Sequence, residues 1–184
     1  LQRVALAPGV TATLAWSKGA LLEALEMEKG TVYPEQQLAE EVITVVREGS
    51  ATCAIAGKTL ELTQDSVLYL TPGTTRTLKA GPGGLKAIEV FSPVRVDLLK
   101  LAGVILPDGA KVGFPDQGVK PSLDAGQVYR LSEIQLTPVT DPDKSLSYKR
   151  SPANSRLIWG RNAMLSFIRM DPNFLSVAAT GFRD

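Results

Sequence analysis

The sequence predicts an all-β protein, and three observations support this. Short segments rich in β-branched and aromatic residues recur along the first hundred residues, roughly 8 to 12 residues apart, with Gly and Pro turns between them. One of these segments, VITVVRE at 42–48, has the β-branched composition typical of strands. Only one short stretch there, about 95–102, is predicted to be helical. Such a pattern is typical of a β-sandwich or a β-barrel.

The first predicted strands precede residue 28. RVALAPGVTATLA at 3–15 consists of short β-prone pieces that Pro8–Gly9 separates. The next segment, ALLEALEM at 20–27, is composed of good helix formers. We nevertheless interpret it as a strand, because it is short and ends at a Lys-Gly pair. Alternation along that strand then places Glu23 on the same face as three apolar residues. These residues are Leu21, Leu25 and Met27.

The strands after residue 41 are expected to form an antiparallel meander. Turns are predicted at Gly49–Ser50 and at Gly57–Lys58, and the glycine-rich segment 80–84 is predicted to be a further turn. The predicted strands that these turns connect are 42–48, 51–56, 59–62, 65–70 and 85–91.

Two segments resemble the two signatures of the cupin superfamily. Gly30 and Gly49 have the spacing of the glycines in the first signature, between which cupins carry two histidines and an acid or amide. Those ligand positions are occupied here by Gln36, Leu38 and Val42. The second signature, in which Pro-x-Gly leads to a histidine, resembles TPGTTRTL at 71–78 and places Arg76 in the fourth ligand position.

The resemblance covers about residues 20–98, and it implies a jelly-roll barrel. It also implies a homodimer, because cupins commonly pair through barrel faces and exchanged N-terminal strands. The residues in the ligand positions argue against a metal: Gln36 is a weak neutral donor, and Arg76 brings a permanent cation. Leu38 and Val42 have no donor atom. We therefore expect no metal and no other cofactor in this barrel.

The composition excludes several classes of function. The 184 residues include no histidine, which excludes histidine general bases, Ser–His and Cys–His nucleophile pairs and the commonest nitrogen ligand for transition metals. The single cysteine, Cys53, allows no internal disulfide. A net charge of +1 with interspersed signs predicts no nucleic-acid partner. No apolar run approaches the roughly 18 residues of a membrane span, so no membrane partner is expected.

The compartment is left open by the sequence. Leu1 is not an initiator methionine, so we expect the N-terminus to be either an expression boundary or a processed end. A removed secretory signal would leave such an end, which would place a soluble protein in the periplasm or outside the cell. Without such a signal, a cytoplasmic location is expected.

An arginine inside a largely apolar barrel needs a partner, because an unpaired buried charge is very costly. One alternative for Arg76 is an internal ion pair with Glu89 or Glu23, the two acids that the predicted strands point inward. The other is an anionic ligand, a carboxylate or phosphate bound by both arms of the guanidinium.

The last predicted strand carries a second resemblance. EVFSPVR at 89–95 resembles the acid-x-Phe-x-Pro-x-Arg ending of small cupins that act on unsaturated uronates from pectin. In that subgroup the acid, the aromatic residue and the arginine line the pocket beside the metal, and Glu89, Phe91 and Arg95 match them here. Tyr33, beside the first signature, is a candidate for stacking on a sugar, with core packing as the alternative.

Three regions are predicted along the chain: a cupin barrel at 1–104, an irregular connector at 105–150, and the start of a second cupin-like repeat at 151–184. The repeat rests on a gap-free match between WSKGALLEALEM, which starts at Trp16, and WGRNAMLSFIRM, which starts at Trp159. The offset is 143 residues. Trp16 itself is predicted to be a core aromatic.

Two classes of function remain open. The first is a metal-free cupin module that binds a small carboxylate or sugar or serves in dimerisation, as part of a two-barrel protein (a bicupin). The second is a cupin enzyme, a lyase or isomerase acting on a sugar or uronate. It would use Glu89 as the candidate acid or base and Arg76 and Arg95 as an anion clamp, or a metal in a barrel beyond residue 184. Glu23, Gln36, Tyr33 and Phe91 complete the predicted ligand-binding set.

Overall fold

A computed structural model describes residues 1–105, 118–138 and 154–169. Those residues form twelve strands, a six-residue helix α1 (Val96–Leu101) and a 3-10 turn (Leu131–Glu133). The strands are β1 (Gln2–Ala7), β2 (Val10–Trp16), β3 (Leu21–Met27), β4 (Val32–Gln37), β5 (Glu41–Ile55), β6 (Lys58–Thr63), β7 (Ser66–Leu70), β8 (Thr75–Ser92), β9 (Val128–Arg130), β10 (Leu136–Pro138), β11 (Asn154–Trp159) and β12 (Met164–Arg169).

The first nine strands form one antiparallel sheet in the order β1-β2-β3-β8-β5-β7-β9, with β4 also paired to β8 and β6 to β5. The order is far from the order in the chain, because β8 lies between β3 and β5. This topology confirms the predicted all-β architecture, and α1 confirms the predicted short helix. Within the described ranges, no helix is long and apolar enough to cross a membrane.

The segment of helix-forming composition at 20–27 is the strand β3, as alternation predicted. Its residues are buried at Leu21, Glu23, Leu25 and Met27, whereas the alternate positions are half-buried or exposed. The strand pairs with β2 on one side and β8 on the other. Burial between two neighbours therefore decides the structure here, against the intrinsic helix propensity of Ala, Leu, Glu and Met.

The predicted turns at Gly49–Ser50 and at 80–84 are wrong, because β5 and β8 continue through them. The ladder between the two strands shifts register on either side of Gly49, so the strands bend where a turn was expected. Gly49 has φ +75°, and a Cβ there would lie 2.1 Å from the carbonyl oxygen of Gly84. Its glycine is thus required by backbone conformation and by close backbone contact.

The bend brings the two ends of β5 and β8 to face each other. Thr44 and Ile55 of β5 pair with Glu89 and Arg76 of β8. In a straight strand, residues 44 and 55 would lie about 36 Å apart. Instead, Nη1 of Arg76 is 3.4 Å from Oγ1 of Thr44. The interior of the barrel therefore receives polar side chains from both halves of β8.

The core lies inside this sheet, and its strands contribute alternate residues. In β2 the buried residues are Val10, Ala12 and Leu14. Trp16 follows in the same alternation but is 40% exposed, so its prediction as a core aromatic is wrong. It occupies the last position of β2, next to the turn that leads into β3.

Two compact units divide the chain. The first comprises Leu1–Glu133 and Ile158–Leu165, and the second comprises 134–157 and 166–184. In the first unit β9 pairs with β7, and in the second β10 pairs with the start of β11. Residues 106–117, 139–153 and 170–184 lie outside the described residues, so the predicted connector and second repeat remain predictions.

Candidate functional site

A fully buried ion pair occupies the interior of the barrel. Nη1 and Nη2 of Arg76 donate to Oε1 and Oε2 of Glu89 at 2.6 and 2.7 Å. Both side chains are 0% exposed. Of the two alternatives for Arg76, the structure shows the internal ion pair, and Glu89 is the partner.

Two further side chains complete this pair. The hydroxyl of Thr44 donates to Oε1 of Glu89 at 2.6 Å, and Nε of Arg76 donates to Oε1 of Gln36 at 3.0 Å. All three nitrogens of the guanidinium therefore have acceptors. Charge-assisted, two-armed bonds of this kind are the strongest that side chains form.

The two charges stabilise each other. Burial alone would raise the pKa of Glu89, but the charge and hydrogen bonds of Arg76 and the Thr44 hydroxyl lower it below its ordinary value. For Arg76, burial acts to lower the pKa, and the charge of Glu89 raises it above the ordinary value. Both groups are thus ionised, and Glu89 is held as a carboxylate without a proton to donate.

Glu23 differs from Glu89, which it faces directly across the β3–β8 ladder. It is 0% exposed, and neither carboxylate oxygen has a hydrogen-bond partner among the described residues. Burial, followed by the charge of Glu89, raises its pKa to about 8. At neutral pH this side chain therefore carries a proton and no charge.

The other predicted site residues adjoin these acids. The guanidinium carbons of Arg76 and Arg95 lie 5.8 and 5.2 Å from the centroid of the Phe91 ring. Arg95 also forms an ion pair with Asp97, and its Nη1 has no partner among the described residues. Tyr33 is buried, and burial followed by the charge of Glu23 raises its pKa to about 12.

The metal that the resemblance implies does not fit these residues. Leu38 and Val42 are buried hydrocarbon side chains in two ligand positions. In a third, Arg76 is a cation already bound to Glu89. The described residues also contain no group of three or more His, Cys, Asp and Glu side chains that could hold a metal ion.

Sequence reasoning missed Thr44 and Glu41. Thr44 follows the ligand position Val42 by two residues, so alternation along the strand could have placed it inside. The carboxylate of Glu41 accepts hydrogen bonds from the Tyr69 hydroxyl at 3.0 Å and from three backbone N–H groups. Those groups belong to Arg161, Asn162 and Ala163, at 2.7, 2.7 and 2.9 Å.

No protein-family model matches the sequence, and neither does any curated protein. Solved structures do match. KdgF from Halomonas sp. is similar with a TM-score of 0.50 and 20% identity over 54% of this chain and 92% of that chain. An RmlC-like cupin from Shewanella frigidimarina gives 0.49 and 18%, over 53% and 87%. The likeness to KdgF, together with the strand topology, confirms the predicted cupin jelly roll, and at this identity it concerns the fold alone.

Proposed function

We propose that this chain is a metal-independent cupin-fold module that binds a small polar molecule and is not itself a catalyst. The observation that carries the proposal is the Arg76–Glu89 pair in the position where cupins hold a metal. A guanidinium that is fully bonded to protein groups repels a metal ion and is not free to bind an anionic substrate.

The ion pair can connect the strands of the barrel to each other, as a bound metal ion would. Through Gln36 and Thr44 it connects β4, β5 and the two halves of β8. Buried pairs are tolerated when additional hydrogen bonds satisfy both partners, as they do here. The cost of burying the charges is thereby offset without an ion.

Metal analysis tests the proposal. The 184-residue chain, prepared without a histidine tag because it has no histidine of its own, is equilibrated with zinc, nickel, manganese and iron(II) salts and then dialysed. Elemental analysis by mass spectrometry is expected to find far less than one metal ion per chain. One ion of any of these metals per chain, retained after dialysis, would contradict the proposal.

A second function, a cupin lyase or isomerase acting on a sugar or uronate, is favoured by one observation. Glu23 is a buried acid that keeps its proton at neutral pH, as a general acid must. In such an enzyme, proton transfer would fall to Glu23, because Glu89 is held by Arg76. The test is turnover of an unsaturated uronate: Glu23→Gln is expected to abolish any activity that the unaltered protein has, and absence of activity in the unaltered protein counts against the enzyme.

The proposal that a second repeat begins near residue 151 gains support from a turn. At the β2–β3 turn, the N–H of Ser17 donates to the carbonyl of Ala20 at 2.9 Å. At the β11–β12 turn, 143 residues later, the N–H of Gly160 donates to the carbonyl of Ala163 at 2.7 Å. Strands β11 and β12 also lie where the same offset places β2 and β3. We therefore retain a two-barrel protein as part of the proposal.

A further inference from the structure

The polar layer of the barrel contains two buried groups without a hydrogen-bond partner among the described residues. They are the carboxyl group of Glu23, at both of its oxygens, and Nη1 of Arg95. Glu23 is 0% exposed, and Arg95 is 9% exposed. Nearly all buried polar groups in native proteins are hydrogen-bonded. An unpaired donor and an unpaired carboxyl group in one layer therefore indicate a partner that is not part of this layer.

The two groups lie near each other. Glu23 faces Glu89, and Leu21, two residues earlier on the same face of β3, faces Phe91. The guanidinium of Arg95 lies 5.2 Å from the centre of the Phe91 ring. Residues two apart on one strand are separated by about 6.6 Å, and the charge of Arg95 also acts on the pKa of Glu23, so the two side chains lie in the same part of the interior. Both also act on the pKa of Tyr33, which is buried, so Tyr33 belongs to the same region of the interior.

The charges in this layer are already balanced. Arg76 is paired with Glu89, and Arg95 with Asp97. An anionic ligand would find no unpaired cation and would face the carboxylates of Glu89 and Asp97. A neutral ligand with hydroxyl groups would meet no such repulsion.

We infer that Glu23 and Arg95, with Tyr33 beside them, form a hydrogen-bonding subsite for a neutral vicinal diol such as a sugar presents. This inference rests on the proposed binding function and specifies its ligand.

The chemistry of the two groups matches a diol. Burial and the charge of Glu89 raise the pKa of Glu23 to about 8, so at neutral pH its carboxyl group has one O–H donor and one carbonyl acceptor. One hydroxyl of the diol accepts from Nη1 of Arg95, while the other accepts from Glu23 and donates to its carbonyl oxygen. The side chain of Asp97 is 61% exposed, so its ion pair with Arg95 marks the solvent end of the subsite.

Ethylene glycol and acetate test this assignment, because each has two carbons and two oxygens and they differ in charge. The ring signals of Tyr33 and Phe91 are followed by NMR near pH 6.5 while either compound is added. Ethylene glycol is expected to shift both sets of signals saturably, and acetate is not. Binding of ethylene glycol is expected to weaken about tenfold or more in Glu23→Leu. It is expected to be unchanged in Glu26→Leu, on the exposed face of the same strand.

A second variant keeps the test decisive if Glu23→Leu does not fold. Glu23→Gln retains one donor group and one acceptor, and it is expected to retain ethylene glycol binding. The assignment of the subsite would be wrong if only acetate gave saturable shifts, or if neither compound shifted the Tyr33 and Phe91 signals. Metal content measured on the same samples separates the two proposals. A bound metal contradicts the metal-independent module. A metal-free protein whose Tyr33 and Phe91 ring signals do not shift contradicts the diol subsite alone.

Discussion

Arg76 and Glu89 are the two residues on which the interior of the barrel most depends. Each is fully buried, and each is the main partner of the other. Removing one of them leaves a buried charge without its partner, whereas removing both leaves neither charge unpaired. A single substitution should therefore destabilise the protein much more than the double substitution.

We expect Arg76→Met to lower the free energy of unfolding by about 3–5 kcal/mol, because Glu89 then lies unpaired in the core. The double variant Arg76→Met with Glu89→Leu is expected to recover most of that loss. Urea denaturation followed by circular dichroism measures all three proteins. A double variant that is less stable than the single one would show that the pair stabilises the barrel in its own right.

Glu23 is expected to make the protein less stable as pH rises. Its pKa is raised from 4.5 to about 8 by burial, then by Glu89, against the opposing charges of Arg76 and Arg95. Between these two values the folded state holds a proton that the unfolded state has released. Stability should therefore be fully present below about pH 4.5 and fall towards pH 8, by up to about 1.4 kcal/mol per pH unit.

The variant Glu23→Gln should remove this slope, because it cannot ionise, and should be more stable than the unaltered protein at pH 8. Tyr33 and Asp97 also lie near Glu23, and neither is altered by the substitution. Glu61→Gln, at an exposed position of β6, is the control and should leave the slope in place. Urea denaturation at half-unit steps from pH 5 to pH 8.5 measures the free energy of unfolding of the three proteins. If this free energy changes with pH in the same way in the Glu23→Gln and unaltered proteins, the prediction is wrong.

The candidate site was partly predictable at the scale of single residues. The cupin spacing identified Gln36 and Arg76, and the need of a buried cation for a partner identified Glu89. Thr44 was not predicted as a site residue because threonine is common on both faces of strands. Glu41 escaped because its backbone partners lie about 120 residues further along the chain, and a backbone N–H leaves no signature in the sequence.

At the scale of elements, the bent strands β5 and β8 determine the shape of the barrel. The glycines in these strands are compatible with a turn and with a bend, because both require a residue that tolerates positive φ. What distinguishes them is the close approach of Gly49 to Gly84, which are 35 positions apart. Local sequence cannot encode that contact, whereas the alternation that identified β3 is local and was predicted correctly.

Gly49→Ala is expected to be much more costly than Gly57→Ala, although the two glycines have nearly the same φ, +75° and +76°. The conformation alone costs alanine about 1–2 kcal/mol at either position. At Gly49 the new Cβ would also meet the Gly84 carbonyl, which adds about 1–3 kcal/mol of overpacking, while Gly57 has no atom within 4 Å. Thermal and urea unfolding of both variants measure the difference, and equal losses would show that the strands can separate at the bend.

At the scale of the whole molecule, the repeat at offset 143 predicts a protein larger than this chain. Intact mass spectrometry of the native protein is expected to give a mass well above that of the 184-residue chain, because a second barrel that starts near residue 151 would need about as many residues as the first. A native mass equal to that of this chain would contradict the two-barrel proposal. The homodimer that the cupin resemblance implies is tested separately by light scattering on the same sample.

The contact of Glu41 with residues 161–163 bears on where this protein can be cut for study. A truncation after Glu133 would look reasonable, since the long sheet is complete by then. It would delete the three N–H groups that hold the Glu41 carboxylate and leave Tyr69 as its one hydrogen-bonded neighbour within the described residues. The shortened product would uncover a side chain at the start of its central strand that is 1% exposed in the longer chain. An isolated first barrel should therefore be made with the 158–165 hairpin attached, for instance by a short glycine linker.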